Sequence, residues 1–177
     1  MSGRVDQILD VAERMARQGG YGGFSFREIA KEVGIKSASV HYHFPEKEAL
    51  GVALAKRYAD RFLAALGDPE DPSVSTKDLL ARIVAAYRSS LADEGLMCLC
   101  GMFGAEIADL PPAVRAETRA FFERNADWLE TVLARRGGGA GRAGAYGILA
   151  TLEGALILGR SLDDIAVFDA AVAGIVV

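Results

Sequence analysis

Apolar residues in the first twenty positions recur at three- and four-residue spacing: Val5, Ile8, Leu9, Ala12, Met15 and Ala16. That period predicts an amphipathic helix, closed by Gly19 and Gly20. A second helix starts within GGFSFREIAKEVG. Ser25 is placed to cap it, Glu28 completes a capping box three residues on, and Phe24 and Ile29 occupy the two positions of a hydrophobic staple. Gly34 ends that helix, and KSASVHYHF predicts another before Pro45. Pro45 suits the first position of a fourth helix, and Glu46 and Glu48 suit its positive N-terminal end; this helix runs on over residues 50–66. GDPEDPSVST, residues 67–76, is the clearest loop, and a domain border is expected near it. Helices are predicted over roughly 77–92, 95–109 and 112–136. GGGAGRAG, residues 137–144, reads as a flexible connection, and two unusually apolar helices follow at about 143–160 and 162–176. Nothing reads as a run of strands, and no segment repeats. The fold class is all-α.

Composition narrows what such a fold can do. With 177 residues, 51% of them hydrophobic and 25% charged, the chain is long enough for a real core and unlike a disordered tail. Its net charge of −4 does not advertise nucleic-acid binding for the molecule as a whole. Residues 1–50 carry seven Lys/Arg against seven Asp/Glu, so the acidic excess lies entirely beyond them. Any anion-binding surface is therefore a local patch at the N-terminal end. The N-terminus lacks the apolar core of a secretory signal. The most apolar stretch, residues 145–159, is too short to span a membrane and contains Glu153. Two cysteines, Cys98 and Cys100, give no disulfide framework and fit a reducing compartment. The expected location is cytoplasmic.

Candidate chemistry is concentrated in IKSASVHYHFPEKEAL, residues 35–50, which holds both histidines of the chain. Metal binding, catalysis and polyanion binding compete for it. His41 and His43 lie two apart, on different faces of a helix, and cannot jointly clamp one metal. No nucleophile or orienting acid is signalled nearby for a catalytic histidine. Two short helices joined by a tight turn at Gly34 make helix-turn-helix geometry, whose second helix places its N-terminal residues at base edges in the major groove. Lys36, Ser37, Ala38 and Ser39 open that helix; hydroxyls can bond base edges or phosphates, and a small alanine can approach a thymine methyl. Val40 and Phe44 are expected to face Ile29 and Val33, leaving Ser37, His41 and Tyr42 outward. Lys47, in the first turn of the next helix, suits a phosphate. The candidate DNA contacts are thus Ser25, Lys36, Ser37, Ala38, Ser39, His41, Tyr42 and Lys47, with His43 packing beneath the helix.

Residues 8–54, in particular FSFREIAKEVGIKSASVHYHFPEKEALG, resemble the TetR (tetracycline-repressor-like, TetR/AcrR) family of transcriptional regulators. The family pattern has a hydroxyl cap, I-A-x-x-x-G-(V/I), small or polar residues, an aromatic pair and F-P-x-K. Ser25, Ile29, Ala30, Gly34, Ile35, Tyr42, Phe44, Pro45 and Lys47 fill those places. His41 stands where tyrosine is commoner, and Glu46 where a capping Ser, Thr or Asn is common. The resemblance implies a three-helix helix-turn-helix domain, residues 1–50, and a helical ligand-binding and dimerisation domain, residues 51–177. It also implies a homodimer on double-stranded operator DNA, paired through its last two long helices, and a small-molecule effector.

Farther along, Tyr87, Met97, Cys100, Phe103, Phe122 and Trp128 could line an apolar effector pocket or simply fill core. Glu106 is added to that pocket set, although a solvated face is its expected home. On a helix Cys98 and Cys100 point nearly opposite ways, Cys100 with Leu96, Phe103 and Ile107, Cys98 with Met102 and Ala105. No cation adjoins either thiol to lower its pKa, which favours inert packing over a redox role. Residues 145–159 are apolar nearly all round, and Gly147, Ala150, Gly154, Ala155 and Gly159 permit close helix approach. A helix without a polar face needs a second burying partner, here expected to be another subunit in an isologous contact. The leading expectation is a DNA-binding repressor released by a small apolar effector, with no catalytic residue, cofactor or metal. The alternatives are a thiol-based regulator or oxidoreductase using Cys98 and Cys100, and a dimerisation module without DNA binding.

Overall fold

The computed structural model describes residues 3–93, 95–137 and 141–176, and those residues form helices and connecting turns with no strand among them. In chain order the helices are α1 Arg4–Gly19, α2 Phe26–Val33, α3 Ser37–His43, α4 Lys47–Leu66, α5 Thr76–Ala92, α6 Leu99–Ala105, α7 Pro112–Ala134, α8 Gly141–Ser161 and α9 Ile165–Val172, with a 3-10 turn at Tyr21–Gly23. The fold is all-α, as its periodicity predicts. It divides into two compact units. One holds the residues up to Ala59 together with Leu99–Phe121; the other holds Asp60–Cys98 and the residues from Phe122 onward.

In the first unit, Ile8, Ala12 and Ala16 of α1 and Phe24, Ile29, Val40, Leu50, Leu54 and Phe103 are all essentially inaccessible to solvent. The polar side of α1 is tied to α4. Arg57 reaches Asp10 at 2.8 Å and the buried Glu13 at 3.0 Å, and Glu13 also faces buried Arg17 at 3.9 Å. Charges this enclosed are tolerated because they are paired.

In the second unit, α5 packs on α8 and α9 through Leu79, Leu80, Ile83, Tyr87, Leu152, Leu156 and Phe168. The predicted loop is an ordered connection. Asp68 and Asp71 accept the N–H groups of Glu70 and Ser73, each at 2.8 Å, the Trp128 indole donates to the Gly67 carbonyl at 2.8 Å, and Ser75 caps α5 by accepting the Asp78 N–H at 3.1 Å.

Several boundaries depart from the predicted pattern, each for a local reason. Pro45 lies two residues before α4, whose first helical residue is Lys47, and the Glu46 carbonyl accepts the first bond, from the Leu50 N–H. The helix predicted over 95–109 shrinks to α6, because Gly95 is left-handed (φ +63°) and the chain leaves the helix for turns at Glu106 before Pro111. Of the predicted flexible connection, Gly141–Gly144 belongs to α8, fastened by Arg142 to Asp127 and Glu130; residues 138–140 lie outside the described residues. The last helix contracts to α9, because Asp163 adopts φ +52° and Asp164 caps the new start through the Ala166 N–H at 2.9 Å.

Candidate nucleic-acid interface

The α2–α3 pair is built by short-range signals that agree. Ser25 is the N-cap of α2 and accepts the Glu28 N–H at 3.2 Å. Its hydroxyl in turn donates to the Glu28 carboxylate at 2.7 Å, so Glu28 pairs with the side chain of the cap and not with its backbone N–H, as a capping box would. Phe24 and Ile29 are both buried, as a staple requires. Gly34 takes the left-handed conformation (φ +74°, ψ +35°) that turns the chain into α3, and its N–H returns to the Ala30 carbonyl. Within α3, Val40 is fully buried, and Phe44 follows it into the core.

What remains outside is the opposite face. Lys36, Ala38, His41 and Tyr42 are exposed, and Ser37 and Ser39 are half-buried. Tyr42 is 84% exposed, an unusual position for so large a ring and one that nothing in its own unit explains. His41 packs its ring edge-on against Phe26, with centroids 4.6 Å apart, and His43 is half-buried with its ring against Tyr42.

Lys47 is the surprise of this face. It occupies the first residue of α4, as expected, but its ammonium lies 4.5 Å from the Phe24 ring centroid and 4.8 Å from that of Tyr21. Burial lowers its pKa, while the carboxylates of Glu106 and Glu28 oppose that shift. Glu106 is not on a solvated helix face. It sits in the turn after α6 and accepts the Tyr21 N–H at 2.7 Å.

The residues expected around an effector divide between the units. Cys100, Phe103 and Glu106 belong to the first, where Phe103 packs edge-on against Tyr21 at 5.8 Å; Tyr87, Met97, Phe122 and Trp128 belong to the second. Cys98 and Cys100 are both buried and not disulfide-bonded. Because α6 begins at Leu99, the predicted helical face shared by Cys98 with Met102 and Ala105 does not exist. The Cys98 thiol is instead hydrogen-bonded to the carboxyl of Glu153, which also accepts the Tyr87 hydroxyl at 3.3 Å. The sequence pattern does not announce this cluster, although a single acid in an apolar run is a visible signal. Burial pushes the Glu153 carboxyl up to about 7, with the two hydrogen bonds acting the other way. An open cleft of about 570 Å³ in the same unit is lined by Leu91, Gly159, Arg160 and Asp163, and by none of the expected pocket residues. No cluster of three or more metal-ligating side chains occurs among the described residues.

Along α8 and in the turn just after it, Tyr146, Ile157, Leu158 and Leu162 are each half or more exposed, an apolar stripe without cover in its own unit. Gly147 and Ala150 are exposed on it, and Gly147 and Gly154 have no atom within 4 Å of where a Cβ would stand. Ala155 and Gly159 face the other way. Both are buried, and a Cβ on Gly159 would meet Leu91 Cδ2 at 2.9 Å, so these two serve packing within the chain.

Comparison with known proteins agrees with this geometry. The profile of bacterial regulatory proteins of the tetR family matches residues 8–54. A TetR transcriptional regulator from Legionella pneumophila is 35% identical, with 99% of this chain and 96% of that one aligned at a TM-score of 0.94. A TetR-family regulator from Agrobacterium tumefaciens is 33% identical, covering 97% and 94% of the two chains at a TM-score of 0.90. The fatty acid metabolism regulator protein of Bacillus subtilis is 25% identical over 88 residues, half of this chain and 45% of that one. The matched segment thus spans under half the length of that relative. No described helix is long and apolar enough to cross a membrane.

Proposed function

The chain belongs to the TetR family of DNA-binding transcriptional regulators, not to an enzyme family, and from that premise we propose that it is a homodimeric repressor released from its operator by a small apolar effector. The observation that carries the reading is α3: a helix with Val40 and Phe44 buried and Tyr42 held 84% exposed above a capped α2. Ser37 and Ser39 read base edges, and Ala38 approaches a thymine methyl. Lys36, His41 and Tyr42 contact the flanking backbone, and Ser25 and Lys47 receive phosphates at two helix starts. Residues 1–50 carry this surface, and residues 51–177 carry the effector site and the dimer contact.

The uncovered stripe of Tyr146, Ile157, Leu158 and Leu162, with Gly147, Ala150 and Gly154 permitting close approach, supports an isologous pairing of α8 with its symmetry mate. A dimer sets two α3 helices at one helical turn of B-DNA, about 34–36 Å, and an effector acts by favouring an arrangement that no longer matches this spacing. A thiol-based regulator fits less well, since both cysteines are buried. The direct test is a gel shift on the DNA upstream of the gene, repeated with a panel of apolar compounds. Retardation that one or more compounds reverse is expected. Retention of this DNA no tighter than of unrelated duplex would overturn operator binding, and retention that no compound reverses would count against the effector.

A further inference from the structure

Five side chains from separate parts of the sequence, Tyr21, Phe24, Lys47, Phe103 and Glu106, meet at the start of α4, all within the first unit. Glu106 accepts the Tyr21 N–H at 2.7 Å across 85 residues of chain. Gly20 makes room for it: at φ +73°, a Cβ there would stand 1.9 Å from Glu106 Oε1. Held this way, the Tyr21 ring packs edge-on against Phe24 at 5.6 Å and Phe103 at 5.8 Å. The Lys47 ammonium lies over the Tyr21 and Phe24 rings, within the field of the Glu106 and Glu28 carboxylates. A cation in such a seat is already partnered. To bind a DNA phosphate it must leave two ring faces and an acid.

We propose that Glu106 is a positioning residue for DNA binding, whose carboxylate builds the aromatic seat of Lys47 and holds the ammonium there in competition with phosphate. This rests on the reading of Lys47 as a phosphate contact. The grip on DNA is then weaker than the number of cations on the face allows, and it is set by a residue of the α6–α7 segment.

The test is a double-mutant cycle in operator affinity, measured by fluorescence anisotropy on the upstream DNA fragment. Where that fragment gives no specific retention, a nonspecific duplex at low salt serves, because phosphate contacts are independent of sequence. Glu106→Gln keeps an oxygen to accept the Tyr21 N–H and removes the charge. It is expected to bind about three- to tenfold more tightly, the range expected from weakening a partly desolvated cation's seat. Its salt slope stays that of the wild type, because the same phosphate contact forms, whereas Lys47→Ala lowers the slope by about 1. In the Lys47→Ala background, Glu106→Gln is expected to change affinity by less than about 1.5-fold.

A gain of undiminished size without Lys47 would mean a general charge effect, and no gain with Lys47 present would mean no restraint; either overturns the proposal alone. Unchanged affinity in Lys47→Ala itself would overturn the phosphate reading and the proposal together. A second measurement needs no variant. With lysines carrying 13C-methyl labels, the Lys47 signal should be displaced by ring currents in the free protein and return toward the ordinary lysine position on DNA. A Lys47 signal at the ordinary position in the free protein overturns the seat.

Discussion

Replacing Glu153 by glutamine should stabilise the protein at alkaline pH and leave it nearly unchanged at acid pH. The carboxyl lies on α8, hydrogen-bonded to Tyr87 and Cys98, and burial raises its pKa from 4.5 to about 7. Below pH 4.5 the group is protonated in both folded and unfolded chains and costs nothing. As pH rises from 4.5 to about 7, the unfolded chain releases the proton and the folded chain resists. Stability is lost across that window, and the loss is complete above the folded pKa. A displacement of this size corresponds to roughly 3 kcal/mol at full burial. Glu153 retains some solvent contact, which screens the charge, so roughly 1–2 kcal/mol is the working value. Glutamine has the shape of the neutral acid and keeps an oxygen for the Tyr87 hydroxyl. At pH 8 the Glu153→Gln protein should therefore exceed the wild type by roughly 1–2 kcal/mol, about 3–6 °C in Tm for a chain of this size. The gap should shrink to under about 1 kcal/mol at pH 5. Urea denaturation at fixed protein concentration from pH 5 to 8 measures both ends. A variant less stable than wild type at pH 8, or a difference that does not vary with pH, would refute the reasoning.

Three further outcomes follow from the packing. Glu13→Ala removes the buried acid paired with both Arg17 and Arg57 and leaves Arg57 its Asp10, which should cost about 3–5 kcal/mol in chemical denaturation. Gly154→Leu meets open space within its own chain, so the stability of an isolated subunit should hold while gel filtration at low concentration shows dissociation; a variant that stays dimeric would count against the α8 pairing. Cys100→Ala and Cys98→Ala should each lower stability by about 1–3 kcal/mol and leave DNA affinity and effector release intact. Oxidant-driven release from the wild type that vanishes in one of these variants would make that thiol a sensor.

The helix-turn-helix was legible because its signals are local. Ser25, Glu28, Phe24 and Ile29 specify where α2 starts and Gly34 where it ends, all within eleven residues, and the structure starts and ends the helix there. The inward positions of Val40 and Phe44 followed from helical spacing alone. What stayed hidden depends on partners distant in sequence. No local pattern announces that Glu106 reaches Tyr21, or that Lys47, chosen as a phosphate ligand, rests on two rings. Gly154 and Gly159 look alike in the sequence, yet one faces open space and the other Leu91, a difference decided by the helices packed around α8. The late start of α6 likewise turns on a left-handed glycine, Gly95, which residue type permits but does not require.

The account's central claim is that a paired α3 reads two half-sites of duplex DNA. Selection of bound sequences from a pool of random duplexes, followed by sequencing, tests it most directly. Enrichment of an inverted repeat is expected, with half-site centres about one helical turn, roughly 10 base pairs, or a small multiple of it apart. The preferred bases within each half-site should change when Ser37 or Ser39 is replaced by alanine. A pool that shows no inverted repeat after selection, or a repeat whose bases are indifferent to both serines, would contradict the claim.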